Sequence, residues 1–345
     1  MHKAKIDVAV ALVFFNRPEQ FACVFAEVRK ARPSKLFLIQ DGARENNLRD
    51  VENINKCREV VSNIDWECDV SIDYSDVNLG CGRRVFSGVK KCFEQVDRLI
   101  ILEDDCVPSQ SFFPFCEEVL EKYKNDDRVG MISGMNHLNT FDCGEIDYFF
   151  SNVGSIAGWA TWKRSWEDVT FELGDIVEDA NAMRLLKQYE KYAPHRNAVY
   201  SNAKTKHEQI KQGEKLSSWS TQFGLNQILN SRLIIVPRVN LMTNIGLTAE
   251  STNSPSSIKF IPRGLRPLYQ LKLYELDFPL KHPKYVISDI EYGKNVDKLM
   301  NPNKVVSICR RIESFTLRLF GGDYKGLLKS AERKIQRLKR KIGKK

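Results

Sequence analysis

The apolar run Leu99-Ile100-Ile101-Leu102 passes without a break into Glu103-Asp104-Asp105. An unalternated apolar run of this length reads as a strand buried on both faces. Ending such a strand in carboxylates puts negative charge at the carboxyl edge of a sheet, where open α/β sheets bind their ligands. Three adjacent carboxylates repel each other, and a divalent cation is the usual compensation. A hard cation held by one or two carboxylates completes its shell with ligand phosphates. The triplet therefore predicts a metal–nucleotide site, against the plainer alternative of a solvated acidic turn.

The elements around it follow a repeating order. Residues 6–15 read as a buried strand and 18–32 as a helix with Phe21, Val24, Phe25 and Val28 on one face. A second strand, 35–40, stops at the turn pair Asp41-Gly42. Residues 50–64 read as a helix and 68–74 as a strand. The glycine-rich turn Asn78-Leu79-Gly80-Cys81-Gly82 leads into a helix over 83–96. After the strand at 99–102 come a helix over 108–123 and a strand at 129–133. Strand alternating with helix is the pattern of a parallel, doubly wound sheet with right-handed crossovers. It brings Asn16-Arg17, Asp41-Gly42, the loop 76–83 and the triplet 103–105 to one edge.

Farther on, 143–166 is rich in aromatics and glycine, with no element assigned. Residues 175–230 read as helical, interrupted by a polar loop at 194–218. Residues 233–236 form a short strand, 240–246 an extended piece and 247–267 a mobile loop. Trp162 and Trp166 read as core, while Trp159 and Trp219 stay open between core and a stacking platform for a sugar.

The chain has 345 residues and a net charge of +9, unevenly placed. From Arg310 to Lys345 there are 13 Lys/Arg and 3 Asp/Glu, a balance of +10, so the rest carries −1. Ile308, Ile312, Phe315 and Leu319 share one helical face, Gly321-Gly322 breaks the helix, and a second basic amphipathic helix follows. Residues 310–345 thus predict contact with an anionic membrane surface; packing on the domain or a coiled-coil contact are the alternatives. Nucleic acid is not expected, because the tail lacks interleaved aromatics. The nine cysteines show no Cys-x-x-Cys pair, which argues against zinc and for reduced thiols in the cytoplasm. The apolar run 8–15 reads as a first strand rather than a signal peptide, and no run is long enough to span a membrane.

With these motifs in place, the chain resembles the GT-A glycosyltransferases, in the bacterial group related to N-acetylglucosaminyltransferase I. The resemblance covers about 6–255 and rests on Val13-Phe14-Phe15-Asn16-Arg17-Pro18-Glu19, Gln40-Asp41-Gly42, Asn78 to Arg83, Ile101 to Pro108, Gly158-Trp159-Ala160-Thr161-Trp162 and Asn244-Ile245-Gly246. It implies a GT-A (Rossmann-like) α/β fold with a mixed, mostly parallel sheet flanked by helices. The expected domain spans 1–300, with a nucleotide half at about 1–135 and an acceptor half at about 136–300, followed by a basic helical tail at 301–345. By resemblance, Asp105 coordinates Mn²⁺ or Mg²⁺, and Asp104 and Glu103 hold the ribose and the donor sugar. Asp41 meets the base, Asn16 and Arg17 line the nucleotide pocket with Asn78 and Gly80 in the facing loop, and Arg83 lies near the phosphates.

The implied reaction is transfer from a UDP-sugar to a hydroxyl of a surface polysaccharide or glycolipid precursor, with inversion, at the inner face of a membrane. Inversion needs a carboxylate base beside the acceptor. Where the family places it in a Trp-Asp segment, this chain reads Ser218-Trp219-Ser220. Glu250 and Glu214 are the remaining candidates, and a donor-binding or scaffold protein without a base is the alternative. A sugar-nucleotide pyrophosphorylase would carry a glycine-rich basic loop after the first strand, which Asn16-Arg17-Pro18-Glu19 is not.

Overall fold

Strand β1 (Ala9–Phe14) is buried along its whole length. Val10, Leu12 and Phe14 enter one apolar cluster, and Ala9, Ala11 and Val13 enter another. Both faces of the strand are covered, which is why its sequence shows no polar alternation. The computed structural model describes residues 1–192, 198–247, 257–324, 326–328, 330–332 and 335.

Along the chain β1 is followed by α1 (Pro18–Ala31), β2 (Lys35–Gln40), α2 (Leu48–Val61), β3 (Asp69–Tyr74), α3 (Cys81–Cys92), β4 (Arg98–Glu103), β5 (Cys106–Pro108) and α4 (Phe112–Lys122). Then come β6 (Val129–Ser133), β7 (Tyr148–Ser151), β8 (Trp159–Trp162), α5 (Lys163–Trp166), α6 (Gly174–Glu178), α7 (Ala180–Tyr192), α8 (Val199–Lys211) and α9 (Ser220–Leu229). The series ends with β9 (Leu233–Pro237), β10 (Met242–Asn244), α10 (Ile290–Met300) and α11 (Lys304–Phe320). The main sheet has eight strands in the order β3-β2-β1-β4-β8-β6-β9-β7, and β10 pairs with β5 in a separate two-stranded ribbon. β3, β2, β1 and β4 run parallel, β8 is antiparallel to both β4 and β6, and β7 is antiparallel to β9. The fold is a mixed α/β sheet, mostly parallel, with helices on both faces. The α1 residues Phe21, Val24 and Val28 and the α4 residues Phe115 and Val119 cover one face. Val85 and Val89 of α3 and Phe223 of α9 cover the other.

Chain contacts divide the molecule into two units. One comprises 1–245 and 271–296, the other 246–270 and 297–345. The second unit joins part of the expected acceptor half, 246–270, to a segment from 297 that includes the expected tail. Within it, α11 ends at Gly321, as the Gly321-Gly322 pair predicts. Much of the predicted second tail helix, and the stretch 248–256 of the predicted loop, lie outside the described residues.

Three segments depart from the sequence reading. The aromatic stretch 143–166 supplies two strands, β7 and β8, each fully buried. The polar segment 194–218 contains α8, whose buried positions are Ala203 and His207. The helix predicted from Pro108 starts at Phe112, because Cys106–Pro108 pair with β10 instead. Among the described residues, no helix is long and apolar enough to cross a membrane.

Candidate functional site

The parallel register fixes which residues leave the sheet together. Val13 of β1 lies opposite Glu103 of β4, Phe14 opposite Gln40 of β2, and Gln40 opposite Tyr74 of β3. The next residues of each strand, including Arg17, Asp41 and the pair Asp104-Asp105, therefore meet at the carboxyl edge.

Arg17 answers the charge of the triplet. Its Nη1 is 3.0 Å from Asp105 Oδ2 and its Nε 3.3 Å from Asp104 Oδ2, while Nη2 bonds Asp104 Oδ1. The fork geometry of a guanidinium suits two carboxylates at once. Asp104 is 4% exposed and also accepts from the Phe15 N–H at 3.4 Å. Asp105 is held from the other side. Asn244 Nδ2 donates to its Oδ1 at 2.8 Å, and the Ile245 N–H donates to its carbonyl at 2.9 Å. The β5–β10 ribbon, with Asn244 opposite Cys106, makes this contact across 139 residues.

Burial pushes the Glu103 carboxyl up to about 8, helped by Asp105 and Asp104 and opposed by Arg17 and a hydrogen bond from the Trp219 side chain. Glu103 thus holds its proton to higher pH than a solvated carboxyl does. Burial also raises Asp104, with Arg17 opposing. The same pairs push Arg17 further into its charged form.

Asp41 ties two loops together. Its Oδ1 accepts from the Gly42 and Leu79 N–H groups at 3.0 and 2.8 Å, and its Oδ2 from Gly80 N–H and Asn78 Nδ2 at 2.9 and 3.1 Å. Four acceptor directions are about all a carboxylate has. Asp41 therefore works as a strut for the turn 78–80, with its capacity for a base already taken. Gly80 sits at φ +80° as the N-cap of α3, a conformation that favours glycine. Asn78 is also bonded by Lys215 Nζ through its carbonyl at 2.6 Å. Asn16 turns away from the triplet and donates to Asp50, which is fully buried and paired with Arg44.

Arg83 lies at the start of α3. Its guanidinium lies over the Phe171 ring at 4.6 Å and 3.8 Å from Glu172. The buried arginine of that helix is Arg84, which holds Asp73 and the Gln40 carbonyl. Glu214 accepts from Gln209 at 2.8 Å. Ser220 pairs hydroxyl to hydroxyl with Ser218 at 2.7 Å at the start of α9. Glu250 lies outside the described residues. Trp159, Trp162, Trp166 and Trp219 are all buried, and Trp159 stacks on Trp219 at 5.1 Å. That corrects the open reading of Trp159 and Trp219, since neither offers a free ring face to a sugar.

No protein-family model matches this chain, and no curated protein matches it. Solved structures similar to it include three at low identity. The inositol-1-phosphate CTP transferase from T. maritima is 11% identical, with a TM-score of 0.37 over 72% of this chain and 92% of that one. The A197 protein from STIV is 11% identical, with a TM-score of 0.26 over 47% of this chain and 69% of that one. A cytidylyltransferase from Leptospira borgpetersenii is 10% identical, with a TM-score of 0.26 over 48% and 63%. Scores this low carry no argument about the chemistry of the site, which rests on its own residues.

Among the described residues no group of three or more His, Cys, Asp and Glu side chains is arranged to hold a metal ion. A protein-only cage is therefore not what the edge offers. Asp105, held by Arg17 and Asn244, is one carboxylate of the kind Mg²⁺ or Mn²⁺ uses together with phosphate oxygens and water. The residues fit a cation that arrives with a phosphate rather than one stored without it. Asn244 is the contributor that sequence reasoning did not single out. Its only local signal is its place in Asn244-Ile245-Gly246, and nothing nearby in sequence indicates a bond to Asp105.

Proposed function

We propose that this chain is a glycosyltransferase that moves a sugar from a UDP-sugar to a hydroxyl of a polysaccharide or glycolipid precursor, with inversion. The observation that carries this reading is the convergence of Arg17, Asp104, Asp105 and Asn244 at the carboxyl edge of β1 and β4. A diphosphate leaving group needs fixed positive charge, and Arg17 brings a guanidinium to that edge. A Mn²⁺ or Mg²⁺ ion bound there would add Lewis-acid stabilisation of the leaving phosphate. In this reading Asp105 presents a hard oxygen, with Asn244 fixing its orientation. Glu103, shifted towards its protonated form by burial, would offer an oxygen to a donor hydroxyl. Asp41 acts at one remove, by holding the turn 78–80 in place.

Of the two base candidates, Glu214, which accepts from Gln209, is the described one that would take the acceptor proton. The test is UDP release from a panel of UDP-sugars with and without Mn²⁺. Asp105→Asn is expected to lower kcat at least a hundredfold while leaving the thermal midpoint within a few degrees. Absence of turnover with every UDP-sugar and acceptor would overturn the transferase reading. A second reading, donor binding without transfer, is favoured by the Ser218–Ser220 hydroxyl pair standing where a base is expected. Binding of a UDP-sugar with no turnover would select it.

A further inference from the structure

Helix α11 is turned with its apolar side outward. Val305, Ile308, Ile312, Phe315 and Leu319 recur at spacings of three and four, which places them on one face. All five are exposed, Ile312 by 58% and Phe315 by 54%. Hydrogen bonds from the helix to the rest of its unit are made on its other side, which also carries Leu317. Ser314 Oγ donates to the Phe260 carbonyl at 3.5 Å, Glu313 accepts from the Arg263 N–H at 3.1 Å, and Arg310 Nη1 donates to the Leu299 carbonyl at 2.8 Å. A helix packed on a globular core does the reverse, burying its apolar stripe and wetting the polar side.

The charge beside the stripe has one sign. Lys304, Arg311 and Arg318 follow each other at intervals of seven along one flank, and Lys325 continues the spacing in the sequence. Lys304 and Arg311 are exposed, while Arg318 lies 3.8 Å from Asp323. The sequence from Arg310 onward carries +10, against −1 for everything before it. An exposed apolar stripe with a cationic flank matches a surface that is apolar in depth and anionic at its rim. A second copy of α11 packed stripe to stripe would bring the same cationic row, Lys304 and Arg311, alongside the first.

We propose that α11 docks on an anionic lipid bilayer, its stripe sunk to the boundary between headgroups and acyl chains and its basic flank on lipid phosphates. This interaction does not depend on the transferase reading, and its readout involves no nucleotide.

The test is co-sedimentation of the full chain with vesicles of phosphatidylcholine alone, or mixed with phosphatidylglycerol. The expected result is binding to the anionic vesicles, weakened by salt, and little to the neutral ones. Ile312→Glu with Phe315→Glu, which leaves every basic residue in place, is expected to weaken binding more than tenfold. Both positions are exposed, so an unchanged far-ultraviolet spectrum and thermal midpoint are expected for the variant. Equal binding by the variant would overturn the proposal, since the charge of the chain end alone would then account for it. A wild-type chain that ignores both vesicle types would overturn it too. So would a wild-type dimer that the variant converts to monomer, which would assign the stripe to a second copy.

Discussion

Arg17 decides how much charge the acidic edge leaves for a ligand. It is bonded to both Asp104 and Asp105, and Asp104 is buried. Breaking a buried pair by removing one partner leaves an uncompensated charge and costs roughly 3–5 kcal/mol. Arg17→Ala is therefore expected to lower unfolding free energy by about 3 kcal/mol in urea titrations, and added Mn²⁺ to raise the midpoint of the variant more than that of wild type. An equal response to Mn²⁺ would show that Arg17 does not compete with a cation. A second residue speaks through pH. Burial holds the His137 imidazole down to about 4, against the backbone hydrogen bond at Gly154. In the unfolded chain the same group takes up a proton near 6.5. Between these values the unfolded state binds more protons, so stability present above 6.5 is lost as the pH falls towards 4. The contribution is on the order of 1–2 kcal/mol at pH 5. Glu103 acts with the opposite sign, because its raised carboxyl favours the folded state more as the pH drops below 8. The check is the change in stability from pH 7 to pH 5 in wild type and in His137→Asn: without the imidazole the variant should lose less stability, or gain more, than wild type on acidification. None of these partnerships is legible in the sequence. The acidic triplet is, but its pairing with Arg17 requires the β1–β4 register, and Asn244 requires a ribbon between residues far apart in the chain.

Elements were legible where burial leaves a periodic trace. β2 and β6 fall on the residues that their apolar runs predict, and α1 and α3 follow their inward stripes to within a few positions. β7 and β8 leave no such trace, because strands buried on both faces do not alternate and each has four residues. α8 is hidden by its polarity, burying little besides Ala203 and His207. The site's loops are held by a different device, close backbone approach. A Cβ on Gly42 would lie 2.6 Å from the Val77 carbonyl carbon. Gly42→Ala is expected to force the strand-end turn away from the 75–80 segment. The cost should be about 1–3 kcal/mol in thermal or urea unfolding, with weaker binding of any nucleotide at the edge. An unperturbed midpoint would mean that the two loops are not locked against each other.

At the scale of the whole molecule, composition and order carried most of the information. Strand–helix alternation over the first third predicts the parallel half of the sheet, and the uneven charge separates a nearly neutral α/β body from a cationic chain end. The antiparallel insertion of β8 between β4 and β6 needs pairing that no local pattern encodes. The central claim is that the carboxyl edge of this sheet takes a nucleotide diphosphate sugar. Its most direct test is the thermal midpoint of wild type and Asp105→Ala with UDP-, GDP- and CDP-sugars, with and without Mn²⁺, since a ligand that binds the folded state raises it by mass action. The account predicts a rise with a UDP-sugar that grows with Mn²⁺ and disappears in Asp105→Ala. No rise with any nucleotide sugar, or a rise that Asp105→Ala keeps, would contradict it.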